Sequence, residues 1–357
     1  MKRKVLVIGA GIIGAAIARH VARAGPAVTV IDSGEPGGLA TRASWGWINA
    51  SWGNPEPYVK LRLAAIAAWH RLAGELPEVG TNWCGGLLWD LPPAELQQYA
   101  EQHSTWGYDI RCVERAEIMA LEPNLKAAPE RACHAPVEGV LEPLQAAHAL
   151  LADARATGAE IFAPMAAKWL LEKHGKIVGV QTDEGALHAD EVVIAAGAGS
   201  AGLLDSVGLR LKLTAPPGLL AHSRPLPPLL NGLLMTPGQH VRQTATGRLV
   251  AGTDFAGAVP AGHADQMAHE LLGGMRALIT GAERAELDFH TLGIRPTPAD
   301  GFPAVGRPQG RAGLYLAVTH SGVTLAAVLG RMVAEELLEG RRDPLLGPYT
   351  PDRAELQ

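Results

Sequence analysis

The chain of 357 residues has little cysteine: Cys84, Cys112 and Cys133 are odd in number, widely spaced and confined to its first half. They allow no disulfide framework and no C-x-x-C metal pair, and a reducing cytoplasm is the expected compartment. Its 13 histidines are scattered without the close His/Cys/Asp spacing of a zinc or iron site, so no metal is expected. Basic residues are few and unclustered in a chain of net charge -5, which argues against nucleic acid as a partner. No apolar run reaches the roughly 20 residues that span a bilayer. Internal repeats, low-complexity tracts and a long polar tail are lacking too. What is present, 47% hydrophobic residues, 19% charged residues and 42 glycines, fits a globular protein with a large core, and the length predicts two domains.

The first segment, MKRKVLVIGAGIIGAAIARHVARAG, has two readings. Lys2, Arg3 and Lys4 before the apolar run Val5 to Ala18 imitate an export signal. Such a signal needs only apolar residues, whereas Gly9, Gly11 and Gly14 are spaced G-x-G-x-x-G directly after a strand-like Lys4–Ile8. A helix is expected from Ile12 to Ala24, then a strand Ala27–Ile31 that ends at Asp32, about 20 residues after the glycines. Gly9 permits the tight turn, Gly11 lets backbone approach a pyrophosphate, and Gly14 lets helix and strand pack closely. Phosphates then meet the unsatisfied N–H groups at the helix start. We therefore read this segment as a dinucleotide site and not as an address label.

Asp32 favours an unphosphorylated ribose, which NAD and FAD share. In place of the β-α unit expected next in a simple NAD enzyme comes GEPGGLATRASWGWINASWGN, whose donors and flat rings suit an extended ligand, or else form a surface loop with its tryptophans tucked inward. The helical spacing of Leu61, Ala65, Ile66, Trp69, Leu72 and Leu76 marks Tyr58–Leu76 as a structural helix. Strands are expected at Ile177–Val180 and Glu191–Ala195, the latter running into Ala196-Gly197. Another is expected at Leu314–Val318, followed by His320-Ser321-Gly322 and a helix to about Leu338. This second strand–glycine–helix junction can serve the far end of a long cofactor, and FAD is long enough to need both.

With these residues in view the sequence resembles the FAD-dependent D-amino-acid oxidase superfamily, in its glycine oxidase, sarcosine oxidase and amino-acid dehydrogenase branches. The resemblance rests on Gly9/Gly11/Gly14 with Asp32, Thr41-Arg42-Ala43-Ser44 before Gly46, Leu121-Glu122-Pro123, Gly139-Val140-Leu141-Glu142-Pro143 and Val193-Ile194-Ala195-Ala196-Gly197. It continues in Gly293-Ile294-Arg295-Pro296, Asp300-Gly301-Phe302-Pro303, Gly313-Leu314-Tyr315 and His320 to Leu325. Glu142 stands where the family usually has Asp, and Ala327 replaces a frequent Pro. The implied fold is mixed α/β: a Rossmann-like FAD domain from residues 1–75, 140–212 and 291–357, and a substrate domain from 76–139 and 213–290 on a largely antiparallel mixed sheet. In that second domain Gly247 to Phe255 reads independently as a strand.

The resemblance implies non-covalent FAD, since no cysteine follows Cys133. It would be held by Gly9, Gly11, Ile12, Ile13, Gly14, Asp32 and Ser33, by Thr41, Arg42, Ala43, Ser44, Trp45, Gly46 and Trp47, and by Ala167, Ala196 and Gly197. At the second junction it would be held by His320, Ser321, Gly322, Val323, Thr324 and Leu325. The implied reaction is hydride transfer from the amine-bearing carbon of an amino-acid-like substrate, giving an imine that water hydrolyses; the flavin carries the chemistry and no dedicated base is needed. Arg295 would bind the substrate carboxylate, its alternative being an ion pair that pins the Pro-rich loop. His240 and Arg242 share one face of an expected strand and offer two cationic groups for a second carboxylate or polar side chain, or form a solvent-facing pair. His320 would either donate near the flavin ring or cap its turn. Alternatives within the fold are a 2-hydroxy-acid dehydrogenase and the flavin subunit of a heteromeric opine or hydroxyproline dehydrogenase. Oxygen and a quinone or other carrier remain open as electron acceptors, as do a homo-oligomer or partner subunit and peripheral membrane association.

Overall fold

The computed structural model describes residues 2–51, 53–253 and 262–356. Its first layer is a six-stranded sheet in the order Ala304–Gly306, Leu314–Val318, Glu191–Ile194, Lys4–Ile8, Ala27–Ile31, Glu160–Phe162, parallel except for the antiparallel first strand. Val5, Leu6, Val7 and Ile8 are all buried because both faces of the sheet are covered, which is why this strand reads as an unbroken apolar run. Val5 and Val7 face the helices Ile12–Arg23 and Gly322–Glu339, while Leu6 and Ile8 face a core that includes Leu170, Ile177 and Val180 of the antiparallel sheet Ala167–Lys173, Lys176–Thr182, Gly185–His188. Burying each such side chain is worth about 1.5–3 kcal/mol. The two helices approach closely at Gly330, where a Cβ would stand 2.8 Å from the Ala16 carbonyl oxygen.

The second layer is an eight-stranded sheet: Leu287–Ile294, Pro217–Ser223, Leu249–Gly252, Gln239–Gln243, Leu233–Thr236, Gly86–Leu88, Arg131–Ala135, Arg111–Glu114. It is antiparallel apart from the parallel pairing of Leu233–Met235 with Gly86–Leu88. Helix Ala264–Leu278 covers it through Ala268, Leu271, Leu272 and Met275. Strand Leu287–Ile294 straddles position 291, where the sequence boundary was placed. The strand expected over Gly247–Phe255 is ordered as Leu249–Gly252; Asp254 and Phe255 lie outside the described residues. The helix expected from Tyr58 begins at Glu56, with Pro57 in its first turn.

The segment Trp45-Gly46-Trp47 ties the layers together. Strand Trp47–Ile48 pairs with Gly139–Val140, and Trp45 Nε1 donates to Val250 O of the large sheet at 3.2 Å. Gly46 has φ +86, and a Cβ there would collide with the Leu141 carbonyl oxygen, so the crossing requires glycine.

Candidate active site

A cavity of about 750 Å³ opens between the two layers. At one end the chain leaves strand Lys4–Ile8 through Gly9, whose φ is +110 and whose absent Cβ would collide with the Ala195 carbonyl oxygen. Gly11 caps helix Ile12–Arg23 without a side-chain hydrogen bond, and Thr41 Oγ1 accepts from Ile12 N at 3.1 Å. Asp32 Oδ2 accepts from Ala10 N at 2.7 Å and Oδ1 from Gly34 N at 2.9 Å, so the acidic side chain braces the glycine turn while still on the cavity wall. Each of its oxygens keeps a second lone pair for a ribose hydroxyl. A glycine turn open to backbone approach, a helix start and an acidic ribose partner fit the adenosine diphosphate half of FAD.

The structure gathers most of the expected positions on this one wall: Gly9, Gly11, Ile12, Ile13, Asp32 and Ser33; Thr41 and Ala43 to Trp47; Ala167, Ala196 and Gly197; and His320 to Thr324. Three of the flavin contacts expected from the resemblance stand elsewhere. Gly14 packs against Gly9, whose carbonyl oxygen occupies the space a Cβ would need, so its role is to bring helix and turn together. Arg42 is exposed, with Nε donating to Gly38 O at 2.9 Å and Nη2 3.5 Å from Glu35. Leu325 is fully buried in the core of the last helix.

At the other end, Arg295 and His240 reach the cavity from the large sheet. Two glycines on neighbouring strands admit them: a Cβ on Gly218 would lie 2.5–2.7 Å from three guanidinium atoms of Arg295, and one on Gly252 would lie 2.6 Å from His240 Nε2. His240 meets the ring of Trp45 edge-on at 4.5 Å. Burial, with Arg295 adding repulsion, holds its imidazole down at about 3. His320 is likewise held at about 4 by burial and then by Arg295 and Arg62. Both imidazoles are therefore uncharged at neutral pH. Burial also lowers the Arg295 guanidinium.

Arg242 corrects the expectation that it faces substrate beside His240. Alternation does put both on the Trp45 side of the strand, but Arg242 Nε donates to Trp45 O at 2.6 Å and Nη1 to Glu142 at 2.7 Å, away from the cavity wall. The pair of cationic groups expected from positions 240 and 242 is thus replaced by a neutral imidazole and a guanidinium engaged by Glu142.

Sequence reasoning missed Arg62. It lies on helix Glu56–Glu75, read as purely structural, yet it lines the cavity and donates to Asn49 O at 3.1 Å, to Asn49 Oδ1 and to Ser321 Oγ at 2.8 Å. The signal was there: Tyr58, Arg62, Ile66 and Trp69 recur at helical spacing, and a charge on an apolar stripe needs a reason. Nearby, Trp69 Nε1 donates to Val323 O and Thr324 O at 2.9 and 3.0 Å, and Thr324 Oγ1 donates to Trp47 O at 3.0 Å, fixing the start of the last helix against the loop. Glu138, fully buried behind the wall, accepts from Trp47 Nε1 at 2.9 Å, from Ser51 Oγ at 3.0 Å and from the Tyr108 hydroxyl.

A dinucleotide cradle closed by a second sheet from which a half-buried arginine reaches the cavity fits a flavin-dependent oxidoreductase. The chain belongs to the DAO family of FAD dependent oxidoreductases, whose sequence profile matches residues 4–336, and FAD is its cofactor. The glycine oxidase of Pseudomonas putida is 30% identical to it, covering 99% of both chains. The crystal structure of glycine oxidase from Geobacillus kaustophilus superposes with a TM-score of 0.87 at 27% identity, covering 98% of this chain and 99% of that one. Iminodiacetate oxidase from Chelativorans sp. BNC1 gives a TM-score of 0.84 at 25% identity, covering 97% and 98%. Among the described residues no helix is long and apolar enough to cross a membrane, and no cluster of His, Cys, Asp and Glu is arranged to hold a metal ion.

Proposed function

We propose that the chain oxidises the C–N bond of an amine that carries a carboxylate, and that Arg295 binds that carboxylate. The observation that carries this reading is the placement of Arg295: a half-buried guanidinium, seated on Gly218 and reaching the same cavity as the dinucleotide turn. A guanidinium fork there suits two parallel hydrogen bonds to a carboxylate. The relatives support the substrate class, since one set acts on glycine, a primary amine, and another on iminodiacetate, a secondary one.

When bound, FAD supplies a two-electron acceptor for the hydride on the amine-bearing carbon. The protein's part is orientation and charge. Arg295 anchors one end of the substrate, and the neutral His240 and His320 neither repel a substrate ammonium nor retain its proton at neutral pH. Because neither imidazole accepts a proton at neutral pH, the substrate ammonium gives its proton to water on binding, the neutral amine reacts, and water hydrolyses the imine that results. None of the three cysteines lies on the cavity wall, which supports non-covalent FAD over attachment through a cysteine.

The test is the anaerobic visible spectrum of the FAD-loaded protein before and after addition of amino acids, N-methyl amino acids and 2-hydroxy acids. Bleaching by amines and not by hydroxy acids is expected, and admitting air then distinguishes an oxidase from a dehydrogenase. Arg295→Met should retain FAD but lose about tenfold to a few hundredfold in kcat/KM, the equivalent of one charged hydrogen-bonded pair. Undiminished turnover would remove Arg295 from this role.

A further inference from the structure

Building on the reading of Arg295 above, we propose that Arg62 is a second carboxylate-binding residue of the same cavity, and that the substrate is an amine bearing two carboxylates, one for each guanidinium. Three arginines are buried among the described residues: Arg19, Arg62 and Arg242. Arg19 bonds Glu75 and Asp153 at 2.8 and 2.9 Å, and Arg242 bonds Glu142. Arg62 has only neutral partners, two oxygens of Asn49, the Ser321 hydroxyl and the face of Tyr58, with no carboxylate within 4.0 Å among the described residues. A buried guanidinium without a counter-ion is strongly disfavoured, so its retention calls for an anion supplied by a ligand.

The protein's own acids do not meet that need. Among the described residues Asp32 and Asp300 are the carboxylates on the cavity wall; the first braces the glycine turn, and the second is paired with Arg353 at 2.6 and 2.8 Å. Glu138 acts on Arg62 at longer range and is enclosed by Trp47, Ser51 and Tyr108. Arg62 has five N–H groups, and its three hydrogen bonds leave one on each terminal nitrogen for an incoming oxygen. Its bond to Ser321 Oγ at 2.8 Å sets it beside His320 at the start of the last helix, on the wall of the cavity that Arg295 reaches from the large sheet. A substrate with one carboxylate answers one of them; a second carboxylate answers the other.

Sarcosine and iminodiacetate are a matched pair that differ by one carboxylate, as are alanine and aspartate. Binding to the FAD-loaded protein is read anaerobically from the perturbation of the flavin spectrum, and reduction from its bleaching, using both enantiomers of the chiral pair. The wild type should favour the dicarboxylate member by about tenfold or more, the scale of a charge-assisted contact. Arg62→Met should collapse that preference, whereas Arg295→Met should weaken both members. Arg62→Lys, which keeps the charge and loses the fork, should give an intermediate ratio and serves as the readout if the methionine variant does not load FAD. A wild type without the preference, or an Arg62 variant that weakens both members equally, overturns the proposal and returns Arg62 to the flavin or the fold. If no amine of either kind perturbs or bleaches the flavin, the amine reading fails first and this proposal falls with it.

Discussion

Replacing Glu138 by Gln tests whether a buried acid holds the cavity wall. Burial pushes the Glu138 carboxyl up from 4.5 to about 7, against the pull of its three donors and of Arg62. Because the folded-state pKa is raised, the folded protein keeps a proton between pH 4.5 and 7 that the unfolded chain has released. Stability therefore falls as pH rises through this window, and above pH 7 the full penalty is present. A shift of this size amounts to about 3 kcal/mol. Gln fills the same space, has no proton to lose, and retains an oxygen for Ser51 and Tyr108, while its amide cannot accept from Trp47 Nε1. Denaturant unfolding of wild type and Glu138→Gln at saturating FAD, at about pH 5 and about pH 8, isolates the effect, because groups common to both proteins cancel in the difference. The wild type should lose about 2–3 kcal/mol relative to the variant on going to the higher pH, most of the full shift. A difference that does not change with pH would mean that Glu138 titrates near its ordinary value, and the reasoning from burial would be wrong.

Two further substitutions separate support from recognition. Arg242→Met removes the hydrogen bonds to Trp45 O and Glu142; since Glu142 stays 43% exposed and hydrated, the expected loss is about 2–3 kcal/mol, below that of a fully buried pair. Thermal unfolding should show this with carboxylate affinity changed little, and the reverse outcome would restore Arg242 to the substrate. Gly218→Ala places a Cβ 2.5 Å from Arg295 Nη2 and must displace the guanidinium. With FAD content intact, kcat/KM should fall by about tenfold or more, since a misplacement near 1 Å can cost about a hundredfold; unchanged kcat/KM would show that the position of Arg295 is unimportant.

The dinucleotide end was legible in the sequence because its determinants are local. Gly9, Gly11, Gly14 and Asp32 lie within one strand–helix–strand unit, and each glycine answers a contact that such a unit always makes. The substrate end was not, because its contacts join segments far apart in the chain. Strand alternation correctly put His240 and Arg242 on one face, yet the face alone does not reveal that Glu142, 100 residues away, engages Arg242. Nor does it reveal that burial leaves His240 uncharged. The parallel pairing of Gly86–Leu88 with Leu233–Met235 is equally non-local, and no turn signal announces it. Arg62 was readable in principle as a charge on an apolar stripe, but only the packing of its helix against the last junction shows what that charge faces.

The two ends of the cavity are built by opposite means, and this follows from what each must hold. The dinucleotide end binds through backbone: glycines let the chain close on the ligand, the helix start presents N–H groups, and Asp32 is largely occupied in bracing the turn. Backbone geometry is the same whatever side chains surround it, so this end can be shared by proteins with different substrates. The other end presents side chains anchored at a distance, Arg295 on Gly218, His240 over Gly252 and Arg62 on Asn49 and Ser321. Each depends on a neighbour that is either absent, as a glycine Cβ is, or polar and fixed. A single substitution at such a neighbour re-aims the group without touching the fold, so differences in substrate within this architecture should be sought at positions such as Gly218, Gly252 and Asn49 as much as at the cations themselves.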